Sequence, residues 1–243
     1  LNLSACSISG GGDDPAMAEQ NSPEQLKEIA KSLVDESKLA NTPAGNDVST
    51  GQAGAIAQNS AEQNISQNSE YIRAQQQVNA NIAEGVRVLY QSAVALMKQQ
   101  QWPEAKQRFL QVVSLHPELA GSYVNLAIIA QQNKQLSQAD TYLEQALQVN
   151  ALNPYAHHLK GLLARQRGDF DLAEKSYLKA LESLPNYAEA HLNLAILAEL
   201  YRGKLGLARD HYQAYLMLNP EDKLVQRWLA GLTLKLAQVE SGE

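Results

Sequence analysis

Five histidines are the side chains in this chain best suited to acid–base or metal chemistry: His116, His157, His158, His191 and His211. His157 and His191 lie 34 residues apart, a step at which other residue types also recur. Zinc ligands must lie about 2.0–2.1 Å from one metal ion, whereas neighbouring packed helices lie about 8–10 Å apart. Two positions one such step apart are separated by a further helix, so the spacing favours histidines that pack or line a groove. No metal site is predicted.

Carboxylates and glycines give catalysis no better support. Asp169 and Asp171 fall in a predicted turn, where a carboxylate ordinarily caps the following helix. Gly10, Gly11 and Gly12 are followed neither by Lys-Ser/Thr nor by a strand–helix unit, as a phosphate-binding loop requires. No nucleophile can be placed beside a general base. We therefore expect no catalytic residue, no cofactor and no small-molecule substrate.

Cys6 is the only cysteine, so no disulfide forms within the chain. The run Leu3-Ser4-Ala5-Cys6 resembles the lipobox of bacterial lipoproteins, although a chance match of four residues is the alternative. That resemblance implies that residues 1–5 are the end of a signal peptide and that the Cys6 thiol carries a diacylglycerol. Ser7 at the next position implies sorting to the outer membrane of a Gram-negative bacterium, facing the periplasm.

A repeat of 34 residues over 86–220 is the strongest pattern in the chain. Small residues recur at two places in each unit, at Ala93, Ala127, Gly161 and Ala195 and at Ala105, Ala139, Ala173 and Ala208. Large residues keep the same step at Phe109, Leu143, Tyr177 and Tyr212. Self-similarity at this period indicates helix pairs that bury their apolar faces by stacking on one another.

The repeated unit resembles the tetratricopeptide repeat (TPR), and the third copy carries the signature at His157, Gly161, Ala173, Tyr177, Ala180 and Pro185. The resemblance implies an all-α, right-handed α-solenoid of about four helix pairs over 86–220. Residues 221–239 have apolar residues at helical spacing and are predicted to cap the exposed end. Three departures, Ala151, Tyr215 and a residue inserted between Ala195 and Gly203, are expected to loosen local packing.

The N-terminal third differs in composition from the repeats. Residues 6–22 are small and polar and predict a flexible tether, followed by an amphipathic helix at 23–40 that begins with Ser22-Pro23. Residues 41–60 predict a disordered linker, and 61–85 a polar helix leading into the repeats. The sequence does not decide whether 23–40 and 61–85 dock on the solenoid or on a partner.

The formal charge of −6 lies entirely in residues 1–80, because acids and bases balance over the rest of the chain. The repeats therefore have no basic excess of the kind that phosphate binding requires, and nucleic acid is not expected as a partner.

In TPR proteins the first helix of each unit lines a concave groove. Carried over residue by residue, the resemblance implies a partner-binding groove formed by Arg87, Tyr90, Val94, Met97, Val124, Asn125, Ile128, Gln131, Tyr155, His158, Leu162, Arg165, Leu192, Asn193 and Ile196. The Lys/Asn clamp of chaperone-binding members is absent, since only Asn125 matches it. An apolar groove of this kind suits a helix or an extended segment of another protein. The alternative is that several of these residues belong to the core.

These resemblances imply a non-catalytic, lipid-anchored TPR scaffold or assembly factor that holds an envelope protein in its groove. A pilotin-like role in pilus or secretion assembly ranks first by analogy with similar lipoproteins. The alternatives are an adaptor for peptidoglycan enzymes, an accessory subunit of an energy-transducing envelope complex, and a permanent structural subunit of a larger machine.

Overall fold

The structure is a computed structural model that describes residues 82–241 together with Arg73 and Gln77. Over that part of the chain the fold is all-α, with nine helices and no strand: α1 Glu84–Lys98, α2 Trp102–Leu115, α3 Ala120–Gln132, α4 Leu136–Val149, α5 Pro154–Gln166, α6 Phe170–Ser183, α7 Ala188–Leu200, α8 Leu205–Leu218 and α9 Lys223–Ser241. The predictions for 1–5, 6–22, 23–40 and 41–60, and for most of 61–85, lie outside the described residues.

The helices form four consecutive pairs, α1–α2, α3–α4, α5–α6 and α7–α8, and each pair packs more extensively within itself than against the next. The small residues of the repeat lie where the two helices of a pair approach, and each alanine of both small series is 0 % exposed. The large residue of each second helix fills the space beside them, and Phe109, Leu143, Tyr177 and Tyr212 are all buried. The predicted α-solenoid of four helix pairs is confirmed.

Gly161 is the one repeat position at which glycine is required by packing. A Cβ atom at this position would lie 2.5 Å from Cε1 of Tyr177, well inside van der Waals contact. The other repeats have alanine there. Because Gly161 has no methyl group, the Tyr177 ring of α6 can lie directly against α5.

The first three pairs turn through a residue with left-handed backbone at Gln100, Lys134 and Gly168, with φ of 59°, 58° and 81°. In each turn the following backbone N–H bonds a carbonyl five residues back, as from Gln101 to Leu96. This is the hydrogen bond of the Schellman motif, which satisfies a carbonyl at the end of a helix. The 34-residue period therefore includes the backbone conformation of the turn.

The fourth turn contains the inserted residue and bonds differently. The left-handed residue is Gly203, with φ 63°, and the Lys204 N–H bonds the Ala198 carbonyl six residues back. The longer turn brings two cations onto α6: Arg202 pairs with Asp171 at 2.6 Å, and Lys204 with Glu174 at 2.6 Å. The insertion was expected to loosen packing, but it links the third and fourth repeats by ion pairs.

Tyr215 replaces a small residue and is also well packed. Its side chain is 6 % exposed, and its hydroxyl donates to Oδ2 of Asp222 at 2.8 Å. Oδ1 of Asp222 accepts from the N–H groups of Leu224 and Val225. Tyr215 therefore holds the aspartate that caps α9, although its substitution for a small residue was expected to loosen the local packing.

Helix α9 closes the C-terminal end of the array, as the sequence predicted, over Lys223–Ser241. Val225 and Leu232 are each 1 % exposed and join a core cluster with residues of α7 and α8, and the Trp228 ring lies 6.1 Å from that of Tyr212. Most buried residues of α1–α6 form a separate, larger cluster. None of the described helices is long and apolar enough to cross a membrane.

Candidate functional site

The fifteen residues predicted to form a groove differ widely in exposure. Arg87 is exposed. Five are half-buried, namely Tyr90, Val94, Tyr155, Arg165 and Leu192. The other nine are buried, namely Met97, Val124, Asn125, Ile128, Gln131, His158, Leu162, Asn193 and Ile196. In this structure the nine buried residues serve chiefly as packing, and the other six are the accessible part of the set. The groove itself stays a prediction.

Asn125 joins the first two repeats. Its Nδ2 donates to the Tyr90 hydroxyl at 2.9 Å and to the Gly121 carbonyl at 3.0 Å. Burial raises the pKa of Tyr90 far above its usual range, so the ring is neutral. Both amide hydrogens of Asn125 are used inside the solenoid. The residue that matches the carboxylate clamp is therefore engaged in structure, in agreement with the absence of the clamp's other members.

His158 joins the third and fourth repeats in the same way. Asn193 Nδ2 donates to His158 Nε2 at 3.1 Å and to the Glu189 carbonyl at 2.8 Å. With Nε2 accepting, Nδ1 carries the proton and donates to the Tyr187 hydroxyl at 3.0 Å. Burial, with Arg165 contributing, lowers the pKa of His158 to about 3. The ring is therefore neutral at physiological pH and cannot pair with an acidic partner.

The two contacts occupy equivalent places in the repeat. Tyr90 and Asn125 are 35 residues apart, as are His158 and Asn193. The corresponding places between the second and third repeats hold Val124 and Leu159, which are both buried. The face formed by the first helices thus alternates polar, apolar and polar junctions, and each polar junction is hydrogen-bonded within the protein.

Aromatic rings surround these junctions. Tyr155 meets Tyr187 edge to face at 5.3 Å, and Tyr187 meets His158 at 4.9 Å. Tyr90 meets Phe109 in the same manner at 5.4 Å. Edge-to-face contacts of this kind fix ring orientation. The face is therefore built from pre-positioned aromatic and aliphatic groups, which suits apolar contact with another polypeptide.

The acidic residues of the third repeat take separate roles. The Asp169 side chain accepts from the Leu172 N–H at 3.0 Å and caps α6, as predicted. Asp171 lies one residue inside α6 and pairs with Arg202 instead of capping. Among the described residues no group of three or more His, Cys, Asp and Glu is placed to hold a metal ion.

One pair of histidines was missed by the sequence analysis. The Nδ1 atoms of His191 and His211 lie 2.8 Å apart, across the contact between α7 and α8. The repeat pattern relates His191 to His157, its equivalent one repeat earlier, and does not relate it to its partner in the same helix pair. Two helices joined by a short turn run antiparallel, so residues of the first lie beside residues of the second, and that geometry could have revealed the pair.

Comparison with known proteins agrees with the fold. Models of the tetratricopeptide repeat match residues 87–118, 124–188 and 158–223, which together make up more than half of the chain. Three solved structures illustrate the likeness, all below 20 % sequence identity, so that they support the fold alone.

The first is the 41-end fragment of MamA from Desulfovibrio magneticus RS-1, with 13 % identity, a TM-score of 0.53, and coverage of 65 % of this chain and 89 % of that one. MamA AMB-1 is 19 % identical with a TM-score of 0.51, covering 64 % and 85 %. A tetratricopeptide repeat protein from Parabacteroides merdae is 18 % identical with a TM-score of 0.50, covering 89 % and 74 %. Four stacked helix pairs, the signature residues in their packing places and these matches establish that the chain belongs to the tetratricopeptide repeat proteins.

Proposed function

We propose that this TPR protein is a lipid-anchored scaffold that holds a segment of an envelope protein against the face formed by α1, α3, α5 and α7. The observation that carries the proposal is the row of aromatic and aliphatic side chains on those helices, ordered by ring contacts and by hydrogen bonds between repeats. TPR solenoids are protein-interaction scaffolds, and nothing in the described part of this one suggests chemistry on a bound substrate.

The envelope location is supported by the lipobox-like run that ends at Cys6. An acyl anchor on Cys6 would hold the solenoid at the periplasmic face of the outer membrane, and stable anchoring by acylation needs more than one chain. Pilus or secretion assembly is the first role to test. The alternatives are an adaptor for peptidoglycan enzymes, an accessory subunit of an energy-transducing envelope complex, and a permanent structural subunit of a larger machine.

The groove is tested by placing charge on its accessible part. Val94 and Leu192 are half-buried and lie on the first helices of the first and fourth repeats. The double variant Val94→Lys, Leu192→Lys should lose its partner, because a lysine at a desolvated apolar contact costs free energy unless it is paired. The measurement is cross-linked capture from native membranes with the full-length lipidated protein, read by mass spectrometry.

A matched control carries the same substitutions on second helices. Leu110→Lys and Leu178→Lys alter residues that are 41 % and 39 % exposed on α2 and α6, and this variant should capture the same partner as the wild type. Recovery of a secretin or pilus component by wild type and control, but not by the groove variant, would support the proposal. Equal capture by both variants would contradict the groove, and recovery of peptidoglycan hydrolases or of an energy-transducing complex would replace the pilotin-like role.

Lipidation is tested separately in cells that express the gene with its complete leader. Cys6→Ser removes the thiol that acylation requires, and it should move the protein from the membrane pellet to the soluble fraction. A Ser4→Thr variant keeps the cysteine and should remain in the pellet. Membrane association that survives Cys6→Ser would reject the anchor without affecting the groove.

A further inference from the structure

The side chains of His191 and His211 form a pair that the proposed scaffold role does not use. His191 lies on α7 and His211 on α8, and both are half-buried at the contact between these helices. Their Nδ1 atoms are 2.8 Å apart, and the ring centroids are 5.1 Å apart. Two imidazole nitrogens at this distance share one hydrogen, so one ring donates and the other accepts.

The hydrogen bond on the far side of His191 fixes which ring donates. His191 Nε2 lies 2.8 Å from the Pro185 carbonyl, which can only accept, so Nε2 carries the hydrogen. The Nδ1 of the neutral His191 ring is therefore bare and points at His211. A histidine that donates its other ring N–H to a backbone carbonyl is the usual arrangement of a metal ligand, since the bond fixes tautomer and orientation.

His211 can present a bare Nδ1 as well. Within the described residues its ring makes one hydrogen bond, the one to His191. Moving its single hydrogen from Nδ1 to Nε2 is a change of tautomer that leaves the ring neutral. After that change both Nδ1 atoms carry lone pairs directed into the same gap, and a cation can replace the shared hydrogen once the rings rotate slightly to one side.

The distance between the two Nδ1 atoms favours some metal ions over others. A metal with bonds of about 2.0–2.1 Å to two nitrogens 2.8 Å apart subtends an angle of about 90° at the metal. That is the cis angle of tetragonal sites, which Cu(II) and Ni(II) prefer, whereas the tetrahedral angle of Zn(II) would require the nitrogens to separate by about 0.5 Å more. Water can complete the coordination, because both side chains retain exposure.

We propose that His191 and His211 form a two-histidine site for Cu(II) or Ni(II) that links α7 to α8 in the fourth repeat.

The third repeat contains a natural negative control. His157 is the equivalent of His191 and makes the equivalent bond, with Nε2 2.9 Å from the Ala151 carbonyl. Ser176, 35 residues before His211, occupies the place of the second histidine. The third repeat thus has the oriented ligand without its partner.

The experiment is titration of the full chain with Cu(II) at neutral pH in a buffer that does not coordinate copper, followed by calorimetry and electron paramagnetic resonance. Wild type should bind one equivalent with nitrogen hyperfine structure from two imidazoles. His211→Gln should weaken binding at least tenfold, and His157→Gln should leave it within twofold. Wild-type affinity in His211→Gln, or equal losses in both variants, would overturn the site.

Three further measurements use the wild-type protein, so that misfolding of a variant cannot confuse the result. Substoichiometric Cu(II) should broaden the imidazole ¹⁵N signals of His191 and His211 before those of the other histidines, and uniform broadening would contradict the site. Ni(II) should bind more tightly than Zn(II), and the opposite order would reject the tetragonal geometry. Saturating metal should also raise the melting temperature, since a ligand that binds only the folded state stabilises it.

Discussion

At the scale of single residues, histidines decide how this protein responds to acid. Burial lowers the pKa of His158 to about 3 and that of His211 to about 4, and it also lowers the pKa of His157 and His191. An unfolded chain releases these constraints, and its histidines then take up protons near their ordinary pKa of about 6.5. Acid therefore favours the unfolded state, and each buried ring adds to that effect.

His158 should make the largest contribution to this pH dependence. Between its unfolded pKa of about 6.5 and its folded pKa of about 3, only the unfolded chain carries the proton. The free energy of unfolding therefore falls with decreasing pH through that window, by about 1.4 kcal/mol per pH unit for this group. His158→Gln should reduce the slope by about that amount, measured by urea unfolding at pH 7, 6 and 5.

The control for His158→Gln is Tyr187→Phe, which removes the hydroxyl bonded to His158 Nδ1 but leaves the ring buried. This variant should be less stable at every pH with the wild-type slope retained. If His158→Gln kept the wild-type slope, burial of this ring would not be the source of acid sensitivity.

At the scale of helices, the contact between α5 and α6 depends on one absent methyl group. Gly161→Ala gains helix propensity of about 1 kcal/mol, but the new Cβ would lie 2.5 Å from the Tyr177 ring. Overpacking of this kind costs about 1–3 kcal/mol, and the rigid setting of the ring places the cost at the upper end. We expect a net loss of about 1–2 kcal/mol in the free energy of unfolding.

A compensating change tests the cause of that loss. The second repeat pairs Ala127 with Leu143 at the equivalent places. In the Gly161→Ala background, Tyr177→Leu should therefore recover stability, although Tyr177→Leu alone should destabilise by leaving a cavity. Additive losses in a double-mutant cycle would show that the alanine methyl and the ring do not compete for the same space.

The same elements show how far the sequence predicts the structure. The period, the helix pairs and the cap were predictable, because small and large residues recur at fixed steps and packing follows them. The roles of Tyr215 and of the inserted residue were not. Both are departures from the repeat pattern, but each is accompanied by a contact that the pattern does not include: Tyr215 bonds Asp222, and Arg202, in the turn that contains the inserted residue, pairs with Asp171.

The exposure of the candidate site residues could be predicted less well than the fold. Family positions indicate which side of a helix faces the groove, but burial depends on how neighbouring repeats pack over it. Asn125 and His158 illustrate the difference, since each is almost fully buried and hydrogen-bonded across a repeat junction. The His191–His211 pair was missed because the 34-residue step relates equivalent positions of successive repeats, whereas these two histidines face each other within one repeat.

At the scale of the whole molecule, the C-terminal end of the solenoid has a core cluster of its own. That cluster joins the buried residues of α8 and α9 to Ala195, Ile196 and Ala198 of α7, whereas Ala190, Leu194 and Leu197 of α7 belong to the larger cluster that contains most of α1–α6. In solenoids, stability is approximately a sum of repeat terms and neighbour terms, so a cluster at one end can open while the remainder persists.

Removing two buried side chains from the cap should therefore loosen one end selectively. Val225→Ala with Leu232→Ala should accelerate amide hydrogen exchange in α8 and α9, while exchange in α1–α6 stays close to wild type. Leu234→Ala on the same helix removes a side chain that is 59 % exposed, and it should change neither region. Uniform acceleration throughout the solenoid would mean that the protein opens as a single unit.

The alternation of polar and apolar junctions distinguishes the native stacking order of the repeats from wrong orders. If the fourth repeat stacked on the second, Asn193 would face Val124, and the amide hydrogen that bonds His158 would be buried without an acceptor, at a cost of about 1–3 kcal/mol. If the third stacked on the first, Tyr90 would face Leu159 and its hydroxyl would lose the Asn125 amide. Misordered stacking, which threatens any array of near-identical units, is thus penalised at the first wrong contact, before a partner is ever bound.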